Sequence, residues 1–201
     1  MITGYGPMIS GMGERQEAPG ELELVRTFVN TLDLGDETEA LPDAKALQAW
    51  LTEVRLTDAD VRVRPSDHRR AIALREALRA ILLTHNGGDC TEASPATATL
   101  EATASRARVR LHFDASQGSQ LEPDATGIDG ALGRLLVIVH EAIRDGTWER
   151  LKACRAHGCE WAFYDGTRNH SRTWCDMQVC GNRAKARAYR ERHTEAAETA
   201  A

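Results

Sequence analysis

The chain has 201 residues, 42% of them hydrophobic and 27% charged, with a formal net charge of −5. That length leaves room for one full domain and a small accessory module, and no apolar run approaches the roughly eighteen residues of a membrane span, the longest being Leu135–Val139 and Ala80–Leu83. The net charge conceals a split: residues 144–193 balance at +5 and residues 1–143 at −8, so a basic end on an acidic body is expected to meet a different partner.

Residues 1–20 are rich in Gly and Met, carry Pro7 and Pro19, and lack the apolar core of a secretory leader. They read as disordered, and the expected location is the cytoplasm, where thiols stay reduced. From Glu21 the apolar residues Leu22, Val25 and Val29 recur at helical spacing up to Phe28-Val29-Asn30-Thr31. Asp43 is placed to cap a second helix with Leu47, Trp50, Leu51 and Val54 on one face. Asp67 is a candidate cap for a third and stronger helix, striped by Ile72, Leu74, Leu78, Ile81 and Leu82 and stopped by Gly87-Gly88. The period then changes. Ala98, Leu100 and Ala102 alternate, as do Val109, Leu111 and Phe113 against Arg108, Arg110, His112 and Asp114, which predicts two strands forming a hairpin. Gly127 to Gly130 breaks the chain before a helix carrying Leu132, Leu135, Leu136, Val139 and Ile143, closed by Gly146. The expected body is therefore residues 21–146, in an α+β, mainly α chain with a small hairpin.

Beyond Trp148 come Cys154-x4-Cys159, fifteen residues, and Cys175-x4-Cys180. Two short pairs separated by a hairpin-length insert are how four thiolates converge on one zinc ion, and with four protein ligands the site is structural, not catalytic. Two disulfides would need an oxidising compartment, and an iron–sulfur cluster, which also takes four thiolates, has no electron-transfer context here. His157 and His170 lie close enough to displace a cysteine, but the four thiolates already complete the shell; Cys90 is far off and reads as a free thiol. Residues 150–193 hold few large apolar side chains, so metal binding is expected to be coupled to folding. Trp161 and Phe163 alternate with Ala162 and Tyr164 in a strand, Asp165-Gly166 turns the chain, and the second cysteine pair opens a helix that runs to about His193, giving a ribbon-plus-helix, treble-clef-like module. Residues 194–201 read as a disordered tail.

Trp174-Cys175-x4-Cys180-Gly181-Asn182-Arg183-Ala-Lys185, preceded by Phe163-Tyr164-Asp165 and Arg168-Asn169, resembles the CGNR zinc finger over residues 151–192. Phe28-Val29-Asn30-Thr31 and Leu47-x2-Trp50-Leu51 resemble the ABATE domain that usually precedes this finger in bacterial proteins thought to be stress-induced transcription regulators. Thr173, where the family often has a basic residue, and Gly166, in a turn usually more substituted, depart from the pattern.

The resemblance implies DNA binding, and the charges agree with it. Arg183, Arg187 and Arg190 fall at i, i+4 and i+7 on one helical face with Lys185 beside them, and Arg168 and Arg172 come from the insert. The alternative is that arginines near a helix C-terminus merely favour its dipole. Asn182 either reads an adenine or holds the knuckle, and Arg183 either meets phosphate or pairs with Asp165. In the body, Asn30 and Thr31 end a helix and serve either as caps or as part of a ligand pocket for a small-molecule effector. His140, expected to be partly buried, and Glu141 point about 100° apart and form no dyad. No phosphate loop or nucleophile elbow appears, so an enzyme is not expected. The reading is a cytoplasmic DNA-binding transcription regulator with one structural zinc, a sensing or dimerising body and, for specific binding, a homodimer. The alternative is a zinc ribbon that docks on an acidic protein partner.

Overall fold

The computed structural model describes residues 16–88, 91, 93–115, 118–187 and 189–190; the free-thiol reading of Cys90, the disorder expected of residues 1–15 and the tail lie outside them, whereas residues 16–20, also expected to be disordered, are ordered, with Ala18 buried in the core and its N–H donating to the Glu23 carboxylate at 2.8 Å. Among the described residues, five helices and three two-stranded antiparallel ribbons succeed one another, with a further helical stretch from residue 182. Helix α1 (Leu22–Val29) buries Leu22, Val25, Phe28 and Val29, and the short strands β1 (Leu32–Asp33) and β2 (Thr38–Glu39) turn the chain back. Helix α2 (Ala44–Glu53) starts where the sequence implied: the Asp43 carboxylate accepts the Ala46 N–H at 2.8 Å. Its Trp50 ring lies 5.3 Å from that of Phe28.

Helix α3 (Pro65–Thr84) begins earlier than expected. Pro65 takes the first turn, where a missing N–H costs nothing, and Asp67 acts from the third position, accepting the Arg64 N–H at 2.8 Å. Residues 98–102 are not a strand but lie within α4 (Ala93–Ala107). Their alternation came from small residues, whereas Ala96, Leu100, Thr103 and Ala107 turn inward or half inward at helical spacing. The hydroxyls of Thr97, Thr99 and Thr103 return to the carbonyl four residues back at 2.8–3.1 Å. The predicted strand at Val109–Asp114 (β3) does form a hairpin, with β4 (Gly118–Pro123) rather than with the preceding segment.

Helix α5 (Gly127–Arg144) contains the glycines expected to precede it. A Cβ on Gly133 would stand 2.4 Å from that of Ala107 and 3.0 Å from that of Pro123, so this position lets α5 lie directly on α4 and β4. Leu132, Leu135, Ile138 and Val139 fill the centre of the core, but Ile143 is exposed, and so is His140, which was expected to be partly buried. Among the described residues, no helix is long and apolar enough to cross a membrane.

Strands β5 (Leu151–Ala153) and β6 (Ala162–Tyr164) form the last ribbon, with Lys152 opposite Phe163. Its two faces serve two cores. Leu151, Ala153, Ala162 and Tyr164 join the helical body, and Phe163 packs with the cysteines together with Trp161 and Trp174. The ribbon is thus buried on both sides, and the small module leans on the body as well as on its metal.

Candidate metal centre and basic helix

Strand β5 delivers Cys154, whose N–H donates to Trp161 O at 3.0 Å, and a tight turn closes as the Cys159 N–H donates to Ala156 O at 3.0 Å. The second pair is set by Asp176. Its carboxylate accepts the N–H groups of Gln178 (2.7 Å) and Val179 (2.9 Å), while its carbonyl accepts those of Cys180 (3.0 Å) and Gly181 (3.1 Å). A Cβ at 181 would sit 2.5 Å from Met177 Sδ and 3.2 Å from Trp174 Cδ1, so Gly181 lets both side chains close over the turn. From this wide turn, Met177–Gly181, the chain continues as helix over residues 182–187 and 189–190.

The two knuckles bring the four sulfurs within 4.8 Å of one another. Cys159 and Cys175 are 3.6 Å apart, Cys175 and Cys180 3.6 Å, and Cys180 and Cys159 3.7 Å. A disulfide requires about 2.05 Å, so the alternative pairing into disulfides does not describe this cluster, and all four cysteines are free. Zinc–sulfur bonds of about 2.3 Å in a tetrahedron place sulfurs about 3.8 Å apart, close to what is found. A cluster of several iron and sulfide atoms would force the sulfurs further apart. The thiol chemistry agrees. Hydrogen bonds from Cys159 and Cys175 pull Cys154 down to about 2, and the contact with Cys154 pushes Cys159 up to about 12. Contact with Cys154 also raises Cys175, and burial raises Cys180. Four thiolates cannot coexist at this spacing without a cation between them. Cys154, Cys159, Cys175 and Cys180 therefore make a site for one structural zinc, which would fix the start of the helix.

The insert between the pairs is organised by a buried ion pair. Lys152 Nζ lies 2.8 Å from Asp165 Oδ2 and also donates to His170 O at 2.6 Å and Arg172 O at 3.3 Å. Asp165 is fully buried. Burial alone would raise its pKa, but Lys152, the Thr167 hydroxyl and N–H, and the Arg172 N–H bring it down to about 2. Asp165 is therefore not the partner of Arg183. Arg172 is likewise committed within the protein: it donates to Trp174 O at 3.0 Å and to Cys175 O, and its guanidinium lies 5.3 Å from the Phe163 ring centre. That makes it a brace for the second knuckle instead of a freely offered cation. Arg168 is exposed in the insert, and Arg183, Lys185, Arg187 and Arg190 are all exposed on the helix. Asn182 is exposed too, and among the described residues its side chain holds no knuckle hydrogen bond.

Asn30 and Thr31 belong to a seam between body and ribbon. The Asn30 amide donates to Ala162 O at 2.9 Å and accepts the Ala162 N–H at 2.8 Å, completing the free edge of β6. Thr31 Oγ1 donates to Phe28 O at 2.8 Å and accepts from Arg75 at 3.1 Å. Helix α3 supplies the rest. Arg79 donates to Glu160 O (3.0 Å), Val29 O (2.8 Å) and Leu32 O (3.3 Å). Glu160, which follows Cys159 directly, has a left-handed backbone at φ 48°. His85 Nδ1 meets Leu151 O at 2.8 Å, and Asn86 donates to Ala153 O and Thr173 O at 2.8 and 2.7 Å. Neither Arg75 and Arg79 on α3 nor His85 and Asn86 just past its end were singled out in the sequence. The signal for Arg75 and Arg79 was their position at 75 and 79, inside the stripe of Ala71, Leu74, Leu78 and Leu82. An open cleft of 440 Å³ between α3 and α4 is lined by Glu76, Arg79, Leu83, Thr99 and Glu160 among others, and Asn30 and Thr31 do not line it.

Residues 22–145 match the family model ABATE, described as "Putative stress-induced transcription regulator", and residues 150–193 match the CGNR zinc finger. The chain belongs to the ABATE family. Its helical body and its CGNR finger follow one another in the order the sequence motifs implied, and the two together make a zinc-binding protein of regulatory type. No curated protein matches the chain. The ABATE body ends with α5, and the finger begins at the ribbon that shares the body's core.

Proposed function

We propose that the protein is a transcription regulator that binds DNA through its CGNR finger, in the cytoplasm, with the ABATE body sensing or dimerising. The observation that carries the reading is the exposure of Arg183, Lys185, Arg187 and Arg190 on the helix that runs directly on from the turn holding the zinc ligand Cys180. A metal-pinned helix presents its cations to phosphate without first losing conformational freedom, and its side chains reach base edges if it enters the major groove. Arg168 would add a contact from the insert, while Arg172 acts indirectly by holding the knuckle. A small-molecule effector is an expectation of the same reading; thermal-shift screening would test it, and the α3–α4 cleft, which touches both Arg79 and Glu160, is the place for it.

Selection of bound sequences from a random duplex pool with the zinc-loaded protein is the direct test. With a selected site in hand, the triple substitution Arg183→Ala, Arg187→Ala and Arg190→Ala should keep its zinc and lose affinity. The slope of log K against log salt should then flatten by about 0.9 for each phosphate contact removed. Absence of any retained duplex at low salt would overturn DNA binding and leave the same arginines to an acidic protein partner.

A further inference from the structure

The turn that ends α3 is closed by its own backbone. The Gly88 N–H donates to Leu83 O at 2.9 Å and the Gly87 N–H to Thr84 O at 3.0 Å, with Gly87 left-handed at φ 70°. Asn86 is thereby fixed against the finger. Its Nδ2 carries two hydrogens, and it donates to Ala153 O at 2.8 Å and to Thr173 O at 2.7 Å. Both neighbours are carbonyl oxygens, so only the nitrogen of the amide can face them. Ala153 directly precedes Cys154, and Thr173 stands two residues before Cys175. One side chain from the body therefore ties a ligand of the first cysteine pair to a ligand of the second. Arg79 holds Glu160 O, directly after Cys159, at 3.0 Å. Three of the four cysteines thus have a nearby carbonyl held from α3 or its end, and the Cys180 turn is closed by Asp176 within the finger.

The consequence concerns the metal. Four thiolates converge only when the two pairs are brought together, which orders the fifteen residues between Cys159 and Cys175. In a free-standing finger that ordering is subtracted from the binding free energy of zinc. Here Asn86 holds Ala153 and Thr173 side by side through contacts that contain no metal atom. Much of the ordering then precedes zinc binding, and preorganisation of this kind raises affinity. We infer that the end of α3 belongs to the zinc site, with Asn86 as a positioning residue that sets how tightly the four cysteines hold the ion. The finger is not an autonomous metal module; its zinc affinity is a property of the ABATE body. Linkage makes the effect reciprocal, so zinc steadies the end of α3 to the same degree. The inference rests on the zinc site and is independent of DNA binding.

Competition for zinc between the full-length protein and a chromophoric chelator tests this. Asn86→Ala removes both donated bonds and should weaken zinc binding by about 10- to 100-fold. Asn86→Asp keeps the size but sets a carboxylate against two carbonyl oxygens, and it should weaken binding at least as much. Leu47→Ala, in α2, opens a hole in the body's core and separates positioning from general stability. It should lower the melting temperature more than Asn86→Ala does, yet leave zinc affinity within about twofold of the wild type. Zinc release into excess chelator should be faster for both Asn86 variants and unchanged for Leu47→Ala. Asn86 variants that hold zinc as tightly as the wild type, or a Leu47→Ala variant that loosens it equally, would overturn the positioning role and leave the four-cysteine site standing. A wild type that takes up no zinc would instead remove the metal site itself, and this inference with it.

Discussion

Two pairs of arginines four residues apart meet opposite fates in this molecule. Arg75 and Arg79 on α3 are each only 2% exposed, while Arg183 and Arg187 on the C-terminal helix stand in solvent. The difference lies in the neighbours. Arg75 grips Glu39 with two bonds of 2.8 Å and shares Glu76 with Arg79. Burial works against its charge, but Glu39 and Glu76 more than compensate and leave its pKa raised. Arg79 gathers the carbonyls of Val29, Leu32 and Glu160, which end α1, open β1 and follow the first zinc knuckle. A planar fork can satisfy several such acceptors at once, which an ammonium group cannot. Arg183 is exposed and, among the described residues, has no such concentration of acceptors around it, so its charge remains available to a partner. Arginine is thus a structural tie in one region and a contact surface in the other.

The largest test of this comparison is removal of the metal. Cys175→Ser should abolish zinc retention and forfeit stabilisation on the order of 10 kcal/mol in the finger. Because the ribbon contributes Leu151, Ala153, Ala162 and Tyr164 to the body's core, the melting temperature of the body should fall as well; a body transition unchanged by calorimetry would mean that the two cores are independent. Next in size is the contrast between the arginines themselves. Arg79→Met leaves three carbonyls without a donor and should cost about 3–5 kcal/mol in urea unfolding, with Arg79→Lys recovering little of it. Arg183→Met should change stability by less than about 0.5 kcal/mol while weakening any DNA complex. Equal losses for the two would erase the distinction.

The smallest expected effect is on pH dependence. Burial lowers the pKa of His85 against the opposing effect of its bond to Leu151 O. A histidine held neutral in the folded state gives full stability above the unfolded value of 6.5 and loses it as pH falls below that value, down to its lowered folded pKa. At saturating zinc, stability should therefore decline from pH 7.5 toward 5.5, and His85→Gln should flatten part of that decline. An unaltered profile would show that His85 titrates alike in both states.

Much of the site was legible because its signals are local. The cysteine spacings, the Asp43 cap, the stripes of α1, α3 and α5 and the alternation of β3 each follow from residues within a few positions of one another. The errors also follow from local reading. Ala98, Leu100 and Ala102 alternate, but small residues alternate without specifying a strand, and α4 forms because that segment packs on α3 and α5. Asp165 and Arg183 are both near the finger's turn in sequence, yet Lys152, across the ribbon, reaches Asp165 first. Arg172 looked like one more basic residue of the insert until the backbone of Trp174 and Cys175 claimed it.

By itself, the sequence determined that four thiolates would converge on one ion and that a basic helix would follow them, since both depend on short spacings that hold in any surrounding structure. Only the tertiary structure decided that Asn30, Arg79, His85 and Asn86 fasten the body to the ribbon. Their partners in the finger are backbone carbonyls and one N–H from 66 to 132 residues away, groups present at nearly every position of every chain, whose selection depends on the path of the fold and not on the side chains that can be read from the sequence.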